Sequence, residues 1–152
     1  MLKQDIKLRL YEACESYLKD RLAVIEHRLN ELNDSLEAET KSSVGDKYET
    51  GRAMLHLEKD KQMQQLAVLL SYKQQLHAIE PNAQFFVIEQ GALVKTNHGL
   101  FYIAISAGKL TIDQQVFFAI TLASPIGKLL FQKKVGDQFS FRGRDYQIEE
   151  VR

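Results

Sequence analysis

The chain has one cysteine, two prolines, no tryptophan and no net charge, with 20 basic residues balanced by 20 acidic ones. A lone Cys14 excludes an internal disulfide and fits a reducing compartment. Its place among helix-spaced apolar residues makes it a small core filler. The charge balance excludes a net field that would steer the molecule onto nucleic acid or an anionic membrane. No apolar run approaches the 18 or so residues of a membrane span, and the first residues lack the apolar stretch of a signal peptide, so a cytoplasmic protein is expected. The four histidines, His27, His56, His77 and His98, stand far apart without Cys/His partner spacing, which argues against zinc. A glycine-rich phosphate loop and a G-x-S-x-G elbow are both absent. Nothing in the pattern suggests a self-contained active site.

What is present is helical pattern of unusual regularity. An apolar content of 45% with 26% charged residues places the 152-residue chain among globular proteins with a modest core. Tyr11, Cys14, Leu18, Leu22, Ile25, Leu29, Leu32 and Leu36 are spaced alternately by three and four, which is a coiled-coil seam. Charged residues such as Lys19, Asp20, Glu26, Arg28, Glu31 and Glu37 fill the solvated sides between them. A second helix is expected from near Asp46 to about Ile79, stopped by Pro81, with Leu57, Met63, Leu66, Leu70 and Leu76 among its apolar positions. Interleaved glutamines argue for a narrow buried stripe there. Only "AETKSSVGD" separates the two patterns, so residues 1–80 read as an antiparallel coiled-coil hairpin with its tip near 42–49.

Beyond residue 80 the period shifts to that of strands. "FFVIE", "ALVKT" and "FYIAIS" carry aromatic and β-branched residues, and "FSFRGRDYQIEEV" reads as a closing hairpin that turns at Arg142 to Asp145. Between them, Ser124 as N-cap and Pro125 at the first helical position start a short helix that ends before Gly136. The expected fold class is therefore α+β: a helical hairpin over residues 1–80, then a small antiparallel sheet domain with one short helix over 81–152.

The tip holds "GDKYE", with Asp46 and Glu49 three apart. Local physics reads this as a capping box, Asp46 at N-cap and Glu49 at N3. A sharper reading comes from the whole pattern. The hairpin-then-sheet order, "GDKYE" at the tip and the C-terminal "SPIGKLLFQKKVGDQFSF…YQIEEV" together resemble the bacterial Gre transcript cleavage factors, the family of GreA and GreB, over nearly the full length. That resemblance implies an FKBP-like fold for residues 81–152. It implies docking on bacterial RNA polymerase through Ser124, Pro125, Ile126 and Gly127, with the hairpin passing down the secondary channel. It further implies that Asp46 and Glu49 help hold a Mg²⁺ shared with the polymerase active site and orient a water that cuts the extruded 3′ end of the nascent RNA. Lys41, Lys47 and Arg52 are then candidate contacts to RNA phosphates. On its own the chain is expected to be inert and monomeric.

Three alternatives stand beside this. A non-cleaving regulator of the same polymerase channel would share the docking but not the chemistry. A self-associating coiled-coil protein would use the seam between chains. A prolyl isomerase follows from fold alone, yet no tryptophan is available to floor a proline pocket.

Overall fold

A computed structural model describes residues 3–40 and 49–152. By their contacts the residues divide into two units, Leu18–Lys73 and Met1–Tyr17 joined with Gln74–Arg152. Helix α1 runs Ile6–Thr40 and α2 runs Glu49–His77, both without interruption. They form the expected hairpin, and within Leu18–Lys73 they are tied by an Arg28–Glu58 ion pair of 3.8 Å and by the approach of Glu39 to Gly51.

The seam of α1 is as the spacing predicts. Cys14, Leu18, Ile25, Leu32 and Leu36 are buried, Tyr11, Leu22 and Leu29 half-buried, and the intervening charges exposed. On α2 the buried stripe is rotated from the expected one. Leu66 and Leu76 turn inward, but Leu57, Met63 and Leu70 are exposed at 69%, 47% and 46%. Leu55, Gln62 and Leu69 take the inward positions instead. These lie within one narrow arc with Leu66 and Leu76 at 3.6 residues per turn, whereas Met63 and Leu70 fall roughly a quarter-turn away. Gln62 fits in the stripe because its amide donates to Glu58 Oε1 at 3.0 Å. The helix stops at His77, and Ile79 N donates to Leu76 O in a final turn before Pro81.

The sheet has six strands: β1 (Leu93–Thr96), β2 (Gly99–Ile103), β3 (Gly108–Ile112), β4 (Gln115–Ile120), β5 (Gln138–Phe141) and β6 (Arg144–Val151), with α3 (Pro125–Leu130) between β4 and β5. Their spatial order is β3-β4-β2-β1-β6-β5. All pairs are antiparallel except β2 with β4, which run parallel, so the sheet is mostly rather than wholly antiparallel. The expected strand "FFVIE" makes only a bridge from Val87 to Lys134. The backbone of Ile88 is taken up by Lys133 O and Gln132 N, each at 2.8 Å, leaving no partner strand for a longer ladder.

The β3–β4 hairpin is a feature the sequence pattern did not mark. Its two-residue turn, Asp113-Gln114, has φ of 50° and 65° without a glycine, whereas the β5–β6 turn uses Arg142-Gly143 with φ of 51° and 76°. Positive φ at both central residues matches the twist of the flanking strands.

Alternation along the strands separates two buried faces. One gathers Val94, Phe101, Ile103, Tyr146 and Ile148 with Ile88 and Leu130, and Ile126, Phe139 and Phe141 pack against them. On the other, Leu93, Tyr102 and Phe117 are buried, with Tyr102 beside Cys14 and Tyr11 of α1. Burial pushes the Cys14 thiol up to about 12, which leaves it protonated and unreactive.

The base of α1 is also fastened electrostatically. Arg9 bonds both carboxylate oxygens of Asp113, at 2.6 and 3.2 Å, and Lys3 reaches the same group at 3.0 Å. These two cations hold the Asp113 carboxyl well below the usual carboxylate range. A folded-state value below the unfolded one contributes stability at neutral pH that is lost as pH falls through the unfolded value and below. The group is exposed, so the effect is small and screened by salt. Asp113→Asn is expected to lower the urea midpoint at pH 7, and the difference from the unmodified chain should shrink below about pH 4. A difference that stayed constant with pH would exclude the ion pairs as its source.

Candidate functional site

Two regions carry the candidate residues, and each lies within one unit. At the hairpin end α1 closes at Thr40 and α2 opens at Glu49. Asp46, Lys41 and Lys47, and with them the capping box, lie outside the described residues. Arg52 is exposed in the first turn of α2. Beside it Gly51 faces Glu39 of α1, whose Oε1 lies 3.1 Å from where a Cβ on residue 51 would stand. A side chain there would push the carboxylate aside, so the glycine permits the close approach. Glu39 Oε2 is buried without a hydrogen-bond partner.

Among the described residues no group of three or more His, Cys, Asp or Glu side chains is arranged to hold a metal ion. The carboxylates of Asp46 and Glu49 are of the hard-oxygen type that Mg²⁺ takes.

The second region is the start of α3. Ser124 has extended backbone, with φ of −68° and ψ of 157°, and its Oγ accepts from Gly127 N at 3.1 Å while donating to Thr121 O at 2.7 Å. That pair of hydrogen bonds locks the Ser-Pro turn. Pro125 is exposed, Ile126 is half-buried against the core, and Gly127 is buried. A Cβ on Gly127 would lie 2.0 Å from Thr121 O, so no other residue fits. Of the four, Pro125 presents the most surface, and the other three shape the turn that presents it.

Sequence reasoning missed the exposed apolar residues around the Val87–Lys134 bridge. Phe86, Phe131 and Val135 are exposed at 86%, 43% and 55%. Phe86 and Val135 flank the Val87–Lys134 bridge, and continuing that register by one step sets them opposite each other. The signal was available in "FFV": of the two adjacent aromatics Phe85 packs against the core, and Phe86 is left exposed.

An α+β protein with a helical hairpin ahead of a six-stranded sheet is the class these elements define. No family model matches the chain, and no curated protein does. Among solved structures it is similar to the transcription factor Gfh1, with a TM-score of 0.35 and 21% identity, covering 93% of this chain and 92% of that one.

The steric argument at Gly127 gives a sharp expectation. Gly127→Ala should destabilise the protein by about 3 kcal/mol, read from the urea midpoint, because the clash is with backbone. Pro125→Ala should cost less than about 1 kcal/mol, since its ring is exposed.

Proposed function

We propose that this chain is a transcription elongation factor that binds bacterial RNA polymerase, inserts its hairpin into the secondary channel and stimulates cleavage of backtracked RNA by the polymerase. The observation that carries this reading is a pair of uninterrupted helices, of 35 and 29 residues, flanking the Gly45-Asp46…Glu49 motif. At about 1.5 Å per residue, the part of α1 in the hairpin unit, Leu18–Thr40, spans about 35 Å. Such an arm is suited to carrying two carboxylates into a narrow passage. The locked "SPIG" turn on a domain we read as FKBP-like supports the docking half of the proposal, with Pro125 as its exposed point.

In this reading the chain has no active site of its own and works as a cytoplasmic monomer. Asp46 and Glu49 would offer oxygen ligands and orient a water toward the scissile phosphodiester. Mg²⁺ shared with the polymerase would supply charge stabilisation and activation of that water. Arg52, and with it Lys41 and Lys47, would meet the phosphates of the nascent RNA 3′ end.

One observation favours a second reading, a regulator that docks without promoting cleavage. The family's tip continues after the glutamate with an Asn-Ala-Glu-Tyr segment, where this chain has Thr50-Gly51-Arg52-Ala53. Gly51 is committed to the approach of Glu39, so the groups supporting the carboxylates differ.

The test is to add the protein to a stalled, backtracked elongation complex in Mg²⁺ and follow short 3′ RNA fragments. Asparagine caps a helix about as well as aspartate, and glutamine serves at the third position of a capping box. Asp46→Asn and Glu49→Gln should therefore preserve the fold and polymerase binding. Each should slow cleavage by a factor on the order of a hundred, equivalent to about 2.7 kcal/mol of barrier. Full cleavage with both variants would sink the carboxylate assignment, and binding without cleavage by the unmodified chain would favour the regulator.

A further inference from the structure

A cleft of about 920 Å³ opens beside the first turn of α1, walled by Pro81, Asn82, Phe85 and Phe86 with Asp5 and Arg152 at its sides. Lys7 lines it. Only 9% of that residue is exposed, and its Nζ donates to Ala83 O at 2.6 Å and lies 4.7 Å from the centre of the Phe85 ring. A carbonyl and a ring face both favour an ammonium, but neither carries the opposite charge.

Among the described residues no carboxylate comes within 4.0 Å of this nitrogen. Burial alone brings the amine down to about 8. A buried cation without a counter-ion is costly, and an anion entering from the cleft would relieve that cost. Arg152 adds positive charge at the side, although Glu150 already engages its Nε and Lys3 O its Nη1. Asp5 is the one side-chain carboxylate among the described lining residues, and it opposes a doubly charged ligand. The walls are mixed, with Gln4, Asn82 and Gln84 beside Pro81, Phe85 and Phe86, and Phe86, 86% exposed, offers an aromatic surface to a nonpolar body.

We infer that this cleft binds a small monocarboxylate with an aromatic or aliphatic body, its carboxylate paired with Lys7 and its apolar part against Phe85 and Phe86. The volume lies within the range of ordinary small-molecule sites. This inference is independent of the polymerase reading.

The experiment titrates the full chain, labelled with ¹³C-lysine, at pH 7 with phenylacetate, 2-phenylethanol, acetate and inorganic phosphate, following the Lys7 side-chain signal. Phenylacetate is expected to shift that signal saturably, to raise the Lys7 pKa when bound, and to bind at least tenfold more tightly than the other three. Lys7→Met should abolish the effect, and if that variant does not fold, the ranking of the four probes on the unmodified chain decides. The inference is overturned by the absence of saturation up to about 10 mM, a Kd too weak for a built site. It is overturned equally if 2-phenylethanol binds as tightly, which would show an apolar groove alone. Phosphate binding as tightly as phenylacetate would also overturn it, by showing unselective ion pairing.

Discussion

The side chains of Ile6, Leu10 and Cys14 on α1 are buried, and so are those of Leu93, Tyr102 and Phe117 on the sheet face they belong with. Each such burial stabilises by about 2 kcal/mol, and a six-stranded sheet with one face left wet could not tolerate so many large apolar groups on it. The rest of the unit follows from this contact. Lys7 is carried to Ala83, Tyr11 to the carbonyl of Leu76 and Arg9 to Asp113, so polar bonds close the edges of an apolar seal. The seal is imperfect at one point: the Tyr102 hydroxyl is buried with no partner, while its ring is fully enclosed. The enclosed ring is large enough to outweigh the stranded hydroxyl.

How much of this was legible depends on how local the determining physics is. The seam of α1 reads directly because its apolar residues recur at strict helical spacing and nothing competes with them. On α2 apolar residues occur on more than one side, and glutamine sits in the stripe, so periodicity alone chose Met63 and Leu70 over Leu55 and Leu69. The Ser124 cap and the Arg142-Gly143 turn are legible because single residues with distinctive backbone chemistry specify them. Asp113-Gln114 escapes notice because its turn has no glycine, and the parallel β2–β4 pair because no local pattern encodes which distant strands meet.

The candidate sites divide in the same way. The motif around Asp46 and Glu49 is a matter of sequence, as is the Ser-Pro-Ile-Gly run. That Gly127 is sterically obligatory and that Phe86 stands almost fully exposed are properties of three-dimensional packing. So is the position of Lys7. A lysine three residues before a leucine and four after another polar residue looks like any solvated cation, and only the return of residues 81–85 past α1 encloses it.

The division of the chain into units has a consequence for the order of folding. Residues through Tyr17 belong with Gln74–Arg152, so Leu18–Lys73 is inserted in the middle of the unit whose ends it separates. The central strand β1 needs β6, with Leu93 and Arg152 exchanging backbone bonds at 2.9 Å in both directions. During synthesis at about 5–20 residues per second, the apolar base of α1 emerges on the order of ten seconds before the last strand that completes its sheet. The hairpin, built from contacts close in sequence, can form within that interval, whereas the sheet closes last and with the highest contact order. The surface that seals the finished unit is therefore the one exposed longest to water and to other chains while the protein is being made.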